Sequence, residues 1–260
     1  MSYGNANDFG VADLHMHTTV SDGTMSPQAV VNEVIIQNML ALKAGGGKII
    51  DIIAVTDHDA IEGATTAIEY LHDHYDETKL EIIIGAEISS RDGHILALDI
   101  KRNIPKDMNA EDTVDAIHDG GGIAIAAHPF AYIPFMKGLK GISRLIYDER
   151  VGPKLDAIEI RNANPTETVN NFLTQFINSR NFNKPVCGGS DSHFQSAVGK
   201  AYTIFPGKSK NDLFSAIREG KTRAHGFVYG LPALYSYVRD RLRWKHFCLE
   251  DPLHRVYHDW

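Results

Sequence analysis

The sequence predicts an α/β protein with largely parallel strands, and three observations carry that expectation. Apolar, β-branched runs alternate with helical segments along the chain, which is the rhythm of βα units. Its 260 residues suffice for one barrel or one open α/β domain with a sizeable core. Several of the apolar runs also end in histidine or carboxylate, at the strand ends where the loops of α/β barrels converge on chemistry.

The first strand is a short apolar lead-in over 9–12. It runs into Ala12-Asp13-Leu14-His15-Met16-His17-Thr18-Thr19-Val20-Ser21-Asp22-Gly23. Alternation along a strand points His15 and His17 to one side, a ready half-site for zinc, manganese or iron. Asp22 follows in a Ser/Gly loop. Ser26 as N-cap and Pro27 at the first helical position open a helix. That helix passes Val30, Val34, Met39 and Leu42 and stops at Gly45-Gly46-Gly47. A buried strand over 48–55 ends in Thr56-Asp57-His58-Asp59, a helix covers 60–74, and a strand over 80–86 ends at Glu87.

The alternation then breaks. Ser90-Arg91-Asp92-Gly93 is too short for a crossover helix and carries a hairpin Asp-Gly. The strand over 94–100 is therefore expected antiparallel to its predecessor, with His94 at the same end as Glu87. A helix begins near 109 and ends at Gly120-Gly121-Gly122, and the strand 123–127 ends in His128-Pro129. A loop over 130–140 and a helix bearing Lys137, Lys140 and Arg144 follow. The strand 155–160 ends at Arg161, and Thr166 is expected to cap a helix to about 179. A short strand over 185–189 ends in Ser190-Asp191-Ser192-His193. The strand 201–205 is the last clear one, and Ser209 caps a helix that stops at Gly220. From 231 to 260 the chain is expected to form a C-terminal helix and tail packed on a 1–230 barrel. Leu234, Tyr235, Val238, Leu242 and Trp244 lie on one side of that helix, and it carries Arg239, Arg241 and Arg243.

Composition narrows the function. The chain is 43% hydrophobic and 23% charged with a net charge of −7, so there is no global basic footprint for duplex nucleic acid. Cys187 and Cys248 are the two cysteines, too few for a disulfide framework or a cysteine zinc motif. No leader and no apolar run of membrane-spanning length stand out, and a cytoplasmic protein is expected. Thirteen histidines is a high count for the length.

The candidate ligands gathered at one end of the strands are His15, His17, Asp22, His58, Glu87, His94, His128, Asp191 and His193. Singly, each has a second reading: His58 or Asp191 as a helix cap, His128 as a buried hydrogen-bonded histidine, Asp22 as a turn former. Together they point to metal, because burying so many polar groups unpaired would cost several kcal/mol each.

These residues resemble the polymerase-and-histidinol-phosphatase (PHP) superfamily of metal-dependent phosphoesterases. The matching motifs are Asp13-Leu14-His15-x-His17-x-x-x-Ser21-Asp22-Gly23, Thr56-Asp57-His58-Asp59, Gly85-x-Glu87, His94, His128-Pro129 and Gly189-Ser190-Asp191-Ser192-His193. The resemblance implies a distorted (β/α)7 TIM-like barrel and up to three divalent ions, zinc, manganese or iron. It implies that His15, His17, Glu87 and Asp191 hold one ion. Glu87 would bridge to a second held by His94 and His128, and Asp22, His58 and His193 would hold the third. Asp13 and Asp57 are read as groups that orient the histidines, or as solvated strand ends.

Such a centre suits phosphate esters, with a metal-bridging hydroxide attacking phosphorus and Asp191 or His193 assisting proton transfer. Arg161, at a strand end, is the candidate phosphate clamp, with a surface ion pair as the other reading. The expected substrate is a small phosphorylated molecule, a nucleotide such as a nucleoside 3′,5′-bisphosphate or a short oligonucleotide. Histidinol phosphatase or exonuclease activity is the nearest alternative. An amidohydrolase-type hydrolase and a non-catalytic metal scaffold rank lower. No membrane partner is expected, and self-association through the C-terminal region is the second reading of that region, after packing on the barrel.

Overall fold

A computed structural model describes residues 8–47, 49–76, 78–130, 149–230 and the single positions 235 and 239. Its strands are β1 (Phe9–Asp13), β2 (Ile52–Val55), β3 (Glu81–Ser90), β4 (Gly93–Leu98), β5 (Ile123–Ala126), β6 (Ala157–Asn162), β7 (Val186–Gly189), β8 (Ala201–Pro206) and β9 (Arg223–Gly226). Among the described residues they form one sheet, ordered β7-β6-β5-β4-β3-β2-β1-β8-β9. The helices are α1 (Pro27–Lys43), α2 (Glu62–His74), α3 (Ala110–Asp119), α4 (Thr168–Ile177) and α5 (Lys210–Arg218).

Local chemistry explains most of these elements. Ser26 accepts from the Ala29 amide to start α1, Asn109 caps α3, and Ser209 with Asp212 closes a capping box on α5. β2 and β5 are buried at every position, as parallel strands covered on both faces must be. β1, β2 and β3 run parallel, as do β5, β6 and β7. β4 lies antiparallel between β3 and β5, with Ser89 opposite His94, as the short Asp-Gly turn requires.

The interior cluster takes at least one residue from every strand β1 to β8, among them Ala12, Ile52, Ile83, Leu96, Ile125, Ala157, Cys187 and Phe205, and α5 adds Leu213, Phe214 and Ile217. A second cluster fills the space between β2 and helices α1 and α2. Past their hydrogen-bonded cores, β1 and β7 meet. Met16 pairs with Ser192, the His17 amide donates to the Ser192 carbonyl at 2.9 Å, and the Asp191 amide donates to the His15 carbonyl at 2.8 Å. This seam nearly closes the sheet into a barrel at one rim.

Gly189 makes the seam possible. A Cβ there would run into His15 Cβ and stand 2.8 Å from the His15 nitrogen and 3.1 Å from Glu159 Oε1. Gly189→Ala is expected to destabilise the fold by about 1–3 kcal/mol through overpacking. Urea unfolding reads this, and an unmoved midpoint would mean the two strands need not approach so closely.

Three local expectations differ from what forms. The turn before α4 is a single 3-10 turn, Pro165–Glu167, capped by Asn164 rather than Thr166, because Asn164 Oδ1 accepts from the Thr166 amide. α2 begins at Glu62. β9 was not foreseen, since Arg-Ala-His-Gly has no apolar run and its side chains stay exposed or half-buried. The loop and helix expected after Phe130 fall within 131–148, and the expected C-terminal helix and tail within 231–260. Apart from Tyr235 and Arg239, both stretches lie outside the described residues. No helix among the described residues is long and apolar enough to cross a membrane.

Candidate metal centre

The rim of the barrel gathers all nine residues singled out above. His15 and His17 leave the end of β1, Glu87 lies within β3, His94 opens β4, and His128 and Asp191 follow β5 and β7. Their donor atoms form four overlapping groups, each within 4.8 Å: His17, Asp22, His58 and His193; His15, His17 and Glu87; His15, His128 and Asp191; and His58, Glu87 and His94. The grouping is more interleaved than three separate ligand sets, since His58 approaches Glu87 as well as Asp22.

Glu87 is the hub. Its Oε2 lies 3.2 Å from Nε2 of both His15 and His17 and 3.5 Å from His58 Nδ1, while its Oε1 lies 2.9 Å from His94 Nδ1 and from His128 Nε2. Asp191 Oδ1 stands 3.5 Å from His15 Nε2 and 3.3 Å from His17 Nε2. Asp22 Oδ1 stands 3.1 Å from His193 Nε2 and 3.6 Å from His17 Nδ1. His17 and His193 stack at 4.3 Å between ring centroids.

The protonation pattern follows from this crowding. Burial opposes the charge on His17, but hydrogen bonds to Asp191 and Glu87 outweigh it and raise its pKa from 6.5 to about 10. His128, buried but bonded to Glu87, is raised to about 9. Burial pushes the Glu87 and Asp191 carboxyls up, yet the surrounding imidazoles hold both well below the usual carboxylate range. His58 moves the other way, because burial dominates there.

Two of the candidate ligands at the rim also hold strained backbone. His128 has φ 28° and Asp191 φ 49°, left-handed conformations that cost about 1–3 kcal/mol each for such residues. Each is tied down by its own amide: His128 donates to Glu159 Oε2 at 2.9 Å and Asp191 to the His15 carbonyl at 2.8 Å.

The donor set fits a metal centre. His15 Nε2 and His17 Nε2 are 3.1 Å apart. Ligand atoms about 2.0–2.2 Å from a shared ion stand roughly 3.0–3.5 Å apart on neighbouring corners of its polyhedron. His58 Nδ1 and His94 Nδ1 are buried and make no hydrogen bond, although both approach Glu87 closely. Nitrogen lone pairs aimed at a common point rather than at a proton account for that geometry.

Other residues hold the frame. Asp13 accepts from the amides of Ser190 at 2.8 Å and Gly199 at 2.9 Å, fastening β1 to the end of β7. Asp57 accepts from the Thr18 amide and hydroxyl, both at 2.7 Å, and from Ser21 Oγ at 2.6 Å, fixing the loop that carries Asp22. These two carboxylates thus secure the backbone and loop beneath the imidazoles.

Arg161 is not brought to the cluster. Its Nη2 donates to Gln175 Oε1 on α4 at 3.0 Å, so the guanidinium faces the helix layer and is not placed as a phosphate clamp. The reason is a bulge: the β6–β7 register slips between Glu159 and Arg161, and a one-residue slip exchanges the two faces of a strand. The same slip turns Asn162 inward. Glu159 and Asn162 are not among the residues that the sequence pattern singles out. Glu159 is almost wholly buried, and its Oε1 lies 3.0 Å from His15 Nδ1. An isolated carboxylate in the apolar run Ala157-Ile158-Glu159-Ile160 was the available signal.

Comparisons with known proteins bear on this site. The PHP-associated family matches residues 176–222. An uncharacterized protein of Methanocaldococcus jannaschii, MJ1587, is 32% identical over 154 residues, which cover 58% of this chain and 81% of that protein. A 5′-3′ exoribonuclease of Haemophilus influenzae is 33% identical over 98 residues, 36% of this chain and 30% of that one. A two-domain protein of Bacteroides vulgatus, described as containing a predicted PHP-like metal-dependent phosphoesterase, has a similar fold. Its TM-score is 0.60 at 18% identity, over 90% of this chain and 69% of that one.

Proposed function

This chain belongs to the PHP superfamily, and from there we propose that it is a metal-dependent hydrolase of a phosphomonoester, a nucleotide in the first instance. The observation that carries the reading is the convergence of six imidazole- or carboxylate-bearing segments, Glu87 at their centre, in donor groups no wider than 4.8 Å. Up to three divalent ions, zinc, manganese or iron, would be held by His15, His17, Glu87 and Asp191, by His94 and His128 with Glu87, and by Asp22, His58 and His193. Bound there, such ions supply charge neutralisation for a phosphoryl group and acidify water.

The chain's own residues do the rest. Glu87 and Asp191 set the negative charge of the centre, and the seam between β1 and β7 keeps His15, His17 and Asp191 in register. His193 has Nδ1 3.0 Å from the Asp191 carbonyl and Nε2 3.1 Å from Asp22, and its side chain is partly open to solvent. We assign proton movement during hydrolysis to His193 and Asp191. With Arg161 turned away, phosphate binding falls to the centre itself.

A second reading is removal of nucleotides from the 5′ end of short RNA, favoured by the likeness to the Haemophilus influenzae exoribonuclease. Elemental analysis of the purified protein and a panel of nucleoside 3′,5′-bisphosphates, 5′-phosphorylated RNA and histidinol phosphate test both. Turnover of none of them by metal-loaded protein would sink the proposal. His17→Ala is expected to remove most turnover, about a hundredfold or more, while the far-ultraviolet circular dichroism stays that of the parent. A fully active variant would refute the assignment of that ligand.

A further inference from the structure

We propose that Glu159 and Asn162 of β6, neither of them in a ligand group, act as a positioning pair that fixes His15, His128 and Asp191 for metal binding. The inference rests on the metal-centre reading and goes beyond it, because it assigns a role to a strand that supplies no ligand.

The contacts are specific. Glu159 Oε1 lies 3.0 Å from His15 Nδ1. Glu159 Oε2 accepts from the His128 amide at 2.9 Å and from Asn162 Nδ2 at 3.1 Å. The same Asn162 amide group donates to Asp191 Oδ2 at 3.0 Å. Two side chains from one strand thereby reach residues that follow β1, β5 and β7. Both are buried, at 2% and 1% exposure. Asn162 is itself anchored: its backbone amide donates to Asn171 Oδ1 at 2.9 Å, and Asn171 Nδ2 returns a bond to the Asn162 carbonyl at 2.8 Å.

The chemistry of each contact is directional. A carboxylate oxygen accepts, so Glu159 keeps the proton of His15 on Nδ1. The Nε2 lone pair is then left facing His17 Nε2 and Glu87 Oε2, at 3.1 and 3.2 Å. The bond to the His128 amide holds a residue at φ 28°, a conformation the chain would otherwise leave. Asn162 occupies one oxygen of Asp191 and so directs the other, Oδ1, toward His15 and His17. The bulge in β6 brings Glu159 and Asn162 to the same face.

Glu159→Gln tests the pair with almost no change in volume. Its amide nitrogen must replace one oxygen. In one orientation it faces His15 Nδ1 and drives the proton to Nε2. In the other it faces two donors, the His128 amide and Asn162 Nδ2. Asn162→Ala is the second variant: it leaves the contacts of Glu159 with His15 and His128 in place and removes the hold on Asp191, along with the bonds Asn162 makes to Glu159 and to the Asn164 amide. Mn2+ affinity is measured on the full chain by chelator competition, and the visible spectrum of Co2+-loaded protein reports ligand geometry. Glu159→Gln is expected to bind Mn2+ about 10- to 100-fold more weakly, with an altered Co2+ spectrum and an unfolding midpoint of the metal-free protein close to the parent's. Asn162→Ala is expected to lose roughly tenfold. Parent-like affinity and spectrum in Glu159→Gln would overturn the proposal. If that variant does not fold, parent-like affinity in Asn162→Ala would do so. Weak binding in His17→Ala with parent-like binding in both β6 variants would overturn the pair and keep the centre. A parent protein that binds no Mn2+ would overturn both.

Discussion

Replacing Glu87 with glutamine is expected to reduce phosphoester turnover by about a thousandfold. Among the described residues Glu87 makes the most polar contacts with the proposed ligands, its oxygens lying 2.9 to 3.5 Å from nitrogens of His15, His17, His58, His94 and His128. Glutamine keeps the shape, removes the charge and presents an N–H donor to nitrogens whose lone pairs are needed. Metal ions contribute several kcal/mol of transition-state stabilisation, and each 1.36 kcal/mol is tenfold in rate, which gives the magnitude. Turnover of the best panel substrate at saturating Mn2+ reads the effect, and elemental analysis reads the accompanying loss of metal. A variant keeping more than a tenth of parent turnover would show that Glu87 is not the bridge.

Stripping the metal is expected to have the second large effect, and its size should depend on pH. At a free metal concentration a thousandfold above Kd, binding adds about 4 kcal/mol of stability. Chelation should therefore lower Tm by roughly 8–16 °C for a chain of this size. In the metal-free protein His17 is raised to about 10 and His128 to about 9. A raised pKa marks a protonated form stabilised by folding. That contribution is present in full below the unfolded value of 6.5 and disappears as pH rises through about 9 to 10. Metal needs the same nitrogens unprotonated. Binding at pH 7 should thus release more than one proton, and apparent affinity should climb with pH until about 9 to 10 and then level off. Calorimetric titration in buffers of different ionisation enthalpy measures the release. Equal affinity at pH 6 and pH 9 would contradict the assignment of His17 and His128 as ligands.

Both predictions concern residues that were readable along the chain. His15 and His17 are two apart on a strand, so local alternation alone aims them together. Glu87 and His94 flank a turn too short for anything but a hairpin, and the pairing of Ser89 with His94 follows from it. His58, His128 and Asp191 come within a few residues of the ends of strands, where a chain leaving a covered strand reaches the rim. Caps at Ser26, Asn109 and Ser209 depend only on neighbours three residues away.

Arg161, Glu159 and Asn162 belong to the other kind. Strict alternation would bring Arg161 inward with Glu159 and leave Asn162 outside, and a slip in the pairing with β7 does the reverse. β9 likewise exists because β8 offers it an edge, and Gly189 matters only because His15 lies against it. The alternation of elements and the candidate ligand types at the strand ends are legible along the chain, because short-range periodicity and turn chemistry are local properties. Which side chain of β6 faces the centre, and how the seam between β1 and β7 nearly closes the rim, emerge only once the strands pair. Strand register is set by hydrogen bonds to segments far away in sequence, and no local pattern encodes them.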